Sequence, residues 1–125
     1  MATIKVSGQT QLLSAFKSAK AGDVLSLAGG NYGSVTLASG KSGVTIKSAS
    51  DGNQAVFSKL SAQKVSNFTI DNVKFDGPGK AGTGLTVKSS AGVKILNSDF
   101  TDLSTGSFIY ESSGVTMSGN TFTRM

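Results

Sequence analysis

The chain has 125 residues, of which 38% are hydrophobic and 15% charged, so it can bury one core and is expected to form a single domain. It contains neither Cys nor His, which excludes disulfides, thiolate or imidazole metal sites and a Ser-His-Asp triad. Twelve Lys and Arg residues stand against seven Asp and Glu, and the resulting charge of +5 is typical of a solvated surface or of attraction to an anionic polymer. No nucleic-acid motif and no membrane-spanning apolar run is present, so neither partner is expected.

The first third of the chain predicts one strand, one helix and a second strand. Residues 3–6 alternate like a strand, and residues 24–27 do so again before the bend "AGGNYG". Between them, "SGQTQLLSAFKSAKAGD" predicts an amphipathic helix, with Ser7 or Thr10 as the N-cap and Gly22 at the C-terminal stop. The predicted buried face of this helix consists of Leu12, Leu13, Phe16 and Ala19.

The remainder of the chain repeats a nine-residue pattern. It reads "NFTIDNVKF" at 67–75, "GVKILNSDF" at 92–100 and "GVTMSGNTF" at 114–122, with a partial copy at 44–46. Alternating apolar and polar positions predict strands whose apolar side chains point inward. The predicted inward columns are Val44, Phe68, Val93 and Val115; Ile46, Ile70, Ile95 and Met117; and Phe75, Phe100 and Phe122. The predicted outward column is Thr45, Thr69, Lys94 and Thr116.

A third strand falls between successive copies, at 35–37, 60–62, 85–87 and 108–110. A unit of 22 to 25 residues cannot bury its own apolar face, whereas stacked units can, which is the principle of a solenoid. We therefore predict an all-β solenoid of about five rungs, each with three short strands. Residues 1–33 would hold the first strand, a capping helix and the first rung, and residues 34–125 the repeating rungs. Asn72 and Asn97 occupy equivalent bends and are expected to form a ladder of buried amides.

Two stretches carry a resemblance to a known family: "TIKVSGQTQLLSAFKSAKAGDVLSLAGGNYG" at 3–33 and "FTIDNVKF" at 68–75. The chain resembles the N-terminal portion of a right-handed parallel β-helix of the pectate-lyase-like superfamily, and within it the alginate lyase and chondroitin/dermatan lyase family. The resemblance implies a fragment of a longer, secreted or cell-surface bacterial protein, although the chain shows no signal peptide. It also implies that the catalytic Lys and Arg, and any calcium ligands, lie on rungs beyond residue 125.

No catalytic residue and no metal ligand is therefore assigned in this chain. The expected function is that of a structural N-terminal module of a protein acting on an acidic polysaccharide such as alginate, pectate or chondroitin, without a complete active site. Two alternatives remain open. One is a small polysaccharide lyase or epimerase that uses a Lys-Tyr pair for acid-base chemistry. The other is a binding or assembly module of the tailspike or adhesin type.

Alternation on the third strand places several polar and aromatic side chains outward, on the face that the resemblance identifies as a polysaccharide groove. A Tyr ring can stack on a sugar, and a Lys ammonium can pair with a uronate carboxylate. The predicted substrate-binding residues are Gln63, Thr86, Lys88, Phe108, Tyr110 and Glu111. An ordinary surface or a self-association patch is the alternative for this face. A homo-oligomer is also expected, through an uncapped rung at 108–122.

Overall fold

The computed structural model describes residues 3–38, 43–49, 54–76, 83–101 and 105–123. In this part of the chain there is one helix, α1 (Gln9–Ser18), and a series of short strands. The strands are β1 (Thr3–Val6), β2 (Val24–Leu27), β3 (Gly30–Ala38), β4 (Thr45–Ser48), β5 (Ala55–Gln63), β6 (Thr69–Asp71), β7 (Lys74–Asp76), β8 (Thr83–Lys88), β9 (Lys94–Leu96), β10 (Asp99–Thr101), β11 (Thr105–Tyr110), β12 (Thr116–Ser118) and β13 (Thr121–Thr123).

All strand pairs are parallel, and they form three stacks that we call faces A, B and C. Face A contains β1, β2, β4, β6, β9 and β12 in that order. The long strands β3 and β5 each bend and contribute to both other faces. Face B contains their first halves with β7, β10 and β13, and face C contains their second halves with β8 and β11.

The predicted all-β parallel solenoid with one N-terminal helix is confirmed. The described strands make four complete turns, rather than the five predicted, because β1 at one end and β12 with β13 at the other form incomplete turns.

The predicted interior columns are present. Ile46, Ile70 and Ile95 are direct neighbours on successive strands of face A and are fully buried. Met117 continues their register but is 37% exposed, because it lies on the last turn. The outward column is also confirmed, since Thr45, Thr69, Lys94 and Thr116 are paired in register and none of them is buried.

An aromatic column runs through the interior behind face B, and it is longer than the sequence pattern predicted. The rings of Tyr32 and Phe57 lie 5.3 Å apart, and those of Phe57 and Phe75 lie 6.1 Å apart. Phe75, Phe100 and Phe122 then stack at 4.7 Å intervals. Four of the five side chains are buried and Phe122 is 50% exposed. Such rings supply much of the apolar area buried by the solenoid.

Helix α1 packs against β1, β2 and β3. Leu12, Phe16 and Ala19 are buried as predicted, and the Phe16 ring meets that of Phe68 edge-on at 5.8 Å. The assignment of Leu13 to the buried face was wrong, because this side chain is 42% exposed.

The predicted helix termini were also wrong. Gly8 is the N-cap, with a φ of 91° that favours glycine, and the Gln11 side chain accepts the Ser7 N–H at 2.8 Å. At the other end the chain leaves the helix at Ala19, before Gly22 is reached.

The predicted ladder of buried amides at Asn72 and Asn97 was wrong by one position. Both residues have positive φ angles (57° and 49°), which Asn tolerates, and Asn97 is exposed. The following residue points inward instead. Ser98 is fully buried, its Oγ accepts the Val73 N–H of the previous turn at 3.3 Å, and it donates to the Leu96 carbonyl at 2.9 Å.

Candidate functional site

The register of the face C strands aligns the predicted site residues in two columns. In one, Thr86 of β8 lies between Ser61 of β5 and Phe108 of β11. In the other, Lys88 lies between Gln63 and Tyr110. Because residues paired on parallel strands lie about 4.8 Å apart, each column forms a short row along the solenoid axis.

The inward neighbours of these residues hold the face in place. Leu60, Ala62, Leu85 and Val87 are all fully buried. Strand alternation then forces Gln63, Thr86 and Lys88 outward, and each is half-buried at the surface. The backbones of Phe108 and Tyr110 follow the same register, but their side chains lie outside the part that the structure describes, so their sugar-stacking role stays a prediction.

A third column lies on the bend that follows face C. Lys64, Ser89 and Glu111 each come directly after a face C strand, and each has a φ between 51° and 55°. The Ser89 hydroxyl donates to a Glu111 carboxylate oxygen at 3.5 Å, and the Lys64 N–H donates to the Lys88 carbonyl at 3.1 Å. Glu111, which was predicted as a site residue, directly follows Tyr110 and therefore lies beside the Gln63–Lys88–Tyr110 column.

Sequence reasoning missed two lysines at this site. Lys64 lies on the bend beside Lys88, and Lys59 points outward at the beginning of the face C half of β5, opposite Ser34 of β3. Both are exposed. The spacing of 25 residues between Lys64 and Ser89 equals the repeat length. The sequence could therefore have assigned both residues to the same bend position.

An open recess of about 500 Å³ lies along this bend, lined by Lys64, Val65, Ser66, Ser89, Ser90, Ala91 and Glu111. The buried Ser90 side chain in this recess is hydrogen-bonded to the backbone of two strands or bends. The Ser90 side chain, which is 6% exposed, accepts the Val65 N–H at 3.2 Å and donates to the Lys88 carbonyl at 2.9 Å. The rim carries the charge, with an ammonium group at Lys64 and a carboxylate at Glu111.

A second recess lies at the corner between faces A and B and is lined by Lys47, Ser48, Asp71, Asn72 and Asn97. Three of its residues make hydrogen bonds between turns, since Asn97 donates to the Asp71 carboxylate at 3.3 Å and Gln54 donates to the Asn72 oxygen at 3.0 Å. Because these bonds join successive turns, the polar residues of this corner are explained by their contribution to the stacking of the solenoid.

The face C surface and its bend combine three lysines with amide and hydroxyl groups. Lysine ammonium groups attract carboxylates, and the Gln, Ser and Thr side chains can exchange hydrogen bonds with hydroxyl groups. An open, polar surface that carries three lysines suits an extended anionic polymer rather than a small molecule enclosed in a cavity. Within the described ranges no group of three or more His, Cys, Asp and Glu side chains could hold a metal ion. No helix in those ranges is long and apolar enough to cross a membrane.

Comparison with known proteins gives a consistent set of similarities. The family described as "Right handed beta helix region" matches residues 30–125. An alginate lyase from Paenibacillus sp. strain FPU-7 superposes with a TM-score of 0.71 at 22% sequence identity, over 95% of this chain and 44% of that one. A mutant of the PL6 family alginate lyase AlyGC superposes with a TM-score of 0.70 at 25% identity, over 100% of this chain and 20% of that one.

A further AlyGC structure aligns with a TM-score of 0.52 at 22% identity, over 94% of this chain and 20% of that one. No curated protein matches the chain. The chain therefore spans less than half the length of the alginate lyases whose structures it resembles.

Proposed function

Because the chain belongs to the right-handed β-helix family, we propose that it is a β-helix module of a polysaccharide-acting protein. In this proposal face C binds an acidic glycan such as alginate, pectate or chondroitin outside the cell, and the module alone does not cleave it. The observation that carries the proposal is the similarity of the whole chain to part of alginate lyases. Because fold alone does not assign an activity, the chemistry of face C provides the second support for this function.

The charge of face C favours an anionic ligand. Lys59 and Lys64 are exposed and Lys88 is half-buried, and all three lie on one face or its adjoining bend. Uronate polymers such as alginate and pectate carry a carboxylate on each sugar, so the ammonium groups of face C can pair with carboxylates of an extended chain. Part of the binding energy is then electrostatic and decreases as ionic strength rises.

The chemistry of the chain favours binding over catalysis. A lyase or epimerase must remove a proton from a carbon next to a carboxylate and stabilise the charge that develops. The chain has no His to act as a base, and its single Arg, Arg124, lies outside the described residues. Glu111, the acid of the bend column, accepts a hydrogen bond from Ser89 and is exposed to solvent.

Two assays on the same preparation test this proposal. Calorimetric titration with alginate, pectate and chondroitin oligosaccharides, and with neutral dextran as the control, is expected to show salt-dependent binding of at least one acidic glycan and none of dextran. Ultraviolet detection of unsaturated uronate products is expected to show no turnover. Accumulation of such a product would contradict the binding-module proposal and support the lyase alternative. Equal binding of dextran would contradict the assignment of an acidic glycan as the ligand.

Lys88→Ala and Lys74→Ala form a matched pair for the binding assay. Both lysines are half-buried strand residues, but Lys74 lies on β7 of face B. The proposal predicts weaker glycan binding for Lys88→Ala and unchanged binding for Lys74→Ala. Equal losses in both variants would mean that the attraction is a property of the overall charge rather than of face C.

A further inference from the structure

Three residues of the bend after face C hold a left-handed backbone although none of them is Gly or Asn. Lys64, Ser89 and Glu111 have φ angles of 55°, 52° and 51°, a region that is unfavourable for most side chains. Within the described residues, every other positive φ belongs to Gly or Asn, which tolerate this conformation. All three side chains are exposed, so their burial does not offset the strain. Backbone strain kept at exposed positions is typical of functional sites.

The same three residues line the open recess of about 500 Å³ beside face C. The register of the preceding strands stacks Lys64, Ser89 and Glu111 on successive turns. The backbones of Lys64 and Glu111 are therefore two strand spacings, or about 9.6 Å, apart. The residues between these two ends are small, among them Ser89 and Ala91. The recess thus has an ammonium group at one end, a carboxylate at the other and space for a ligand between them.

We propose that this recess is a subsite for one sugar of the acidic glycan, a uronate ring whose free hydroxyl groups are unmodified. The inference rests on the function proposed above and adds a selectivity to it. A uronate ring carries its carboxylate at carbon 5 and hydroxyl groups on the opposite side, at carbons 2 and 3. The Lys64 ammonium pairs with the carboxylate, and the Glu111 carboxylate accepts hydrogen bonds from the hydroxyl groups.

Glu111 has the acceptor capacity that this role requires. The Ser89 hydroxyl donates to Glu111 Oε1 at 3.5 Å, which is long for a hydrogen bond between oxygen atoms. An ionised carboxylate offers about four acceptor positions, so this contact leaves capacity for two sugar hydroxyl groups. A negative charge here opposes the general attraction of face C for a polyanion. The contribution of Glu111 to binding is therefore the recognition of hydroxyl groups.

The sign of one charge effect tests this subsite. Glu111→Gly and Asp99→Asn each remove one negative charge, and Asp99 lies on β10 of face B. General electrostatics predicts slightly tighter binding of alginate and pectate oligosaccharides by both variants. We expect calorimetry to show about tenfold weaker binding by Glu111→Gly, because hydrogen bonds to a charged group are lost, and no weakening by Asp99→Asn. Binding by Glu111→Gly that equals or exceeds that of the unmodified chain would overturn the proposal.

Urea denaturation separates loss of binding from loss of the fold. Glycine adopts a φ of 51° without strain, so Glu111→Gly should have a denaturation midpoint equal to or above that of the unmodified chain. A weaker binder that is at least as stable shows that Glu111 acts on the ligand. A lower midpoint together with weaker binding would contradict the proposal, because Glu111 would then support the fold.

Chemical acetylation of the ring hydroxyl groups tests the same contact from the side of the ligand. Acetylated alginate oligosaccharides should bind the unmodified chain more weakly than their unmodified form, whereas Glu111→Gly should bind both forms almost equally. An equal effect of acetylation on both proteins would overturn the subsite alone, provided that the unmodified chain binds the glycan. If the unmodified chain bound none of the acidic glycans, the proposed function and this subsite would both be overturned.

Discussion

Ser98 and Val73 lie on adjacent turns, and the buried Ser98 hydroxyl accepts the Val73 N–H at 3.3 Å. The next turn repeats the arrangement with a different side chain, since the Asn120 oxygen accepts the Ser98 N–H at 2.9 Å. The bend after face C does the same, with the Ser112 hydroxyl accepting the Ser90 N–H at 3.1 Å. Short polar side chains inside the bends thus satisfy backbone donors that the strand ladders do not reach.

Ser98→Ala should lower the free energy of unfolding by about 1–3 kcal/mol, because it leaves the buried Val73 N–H and Leu96 carbonyl without this partner. Ser118→Ala is the matched control, since Ser118 is an exposed serine on β12. Urea denaturation of both variants measures the difference. Equal losses in the two variants would contradict the role given to the buried hydroxyl.

Ile70→Ala should cost about 2–5 kcal/mol of stability, because the side chain is fully buried between Ile46 and Ile95 and its removal leaves a cavity. Met117→Ala, in the same column but 37% exposed, should cost clearly less. Denaturant midpoints at low protein concentration provide the comparison. A loss below about 0.5 kcal/mol for Ile70→Ala would place Ile70 outside the core.

Gly92→Ala should destabilise the fold more than Gly33→Ala, although both glycines have nearly equal φ angles of 66° and 67°. A Cβ at Gly92 would lie 2.7 Å from the Asn67 Oδ1 atom of the previous turn, whereas a Cβ at Gly33 would meet nothing within 4 Å. The double variant Asn67→Gly/Gly92→Ala removes that contact and should recover part of the loss. If the double variant recovers none of it, backbone strain alone would explain the cost.

Tyr32 predicts a specific response to alkaline pH. Burial raises the pKa of its phenol, whose hydroxyl donates to the Ala28 carbonyl at 2.7 Å. The unfolded chain therefore releases this proton near pH 10, before the folded chain does, so stability decreases as pH rises above about 10. Tyr32→Phe should be less stable at neutral pH but should lose less stability between pH 10 and 11. Parallel alkaline losses in both proteins would contradict this assignment.

Sequence periodicity predicted the strand stacks and the isoleucine column, because each repeat carries its inward residues at the same positions. It missed Phe57 as a member of the aromatic column, since the chain between β4 and β5 is longer than the equivalent bends and shifts Phe57 out of the pattern. It placed the inward bend position at Asn97 rather than Ser98, because the positive φ of Asn97 turns that side chain outward.

The candidate site was predicted in part for the same reasons. Strand alternation predicted that Gln63, Thr86 and Lys88 lie on one outward face, and in the structure all three are half-buried residues of face C. Lys59 and Lys64 were missed because one begins the bent half of β5 and the other lies on the bend after it, where alternation no longer predicts direction. Lys64 lies beside Lys88 because the stacking of turns brings together residues about 25 positions apart.

Two triple variants test the assignment of face C most directly. One changes Lys59, Lys64 and Lys88 to Ala, and the other changes Lys5, Lys17 and Lys74, which lie away from face C. Both remove three positive charges, so any difference in affinity for the acidic glycan bound by the unmodified chain reports the position of those charges. We expect a loss of binding of about tenfold or more for the face C variant, equivalent to about 1.4 kcal/mol, and little change for the other. Equal affinities of the two variants would contradict the claim that face C is the glycan-binding surface.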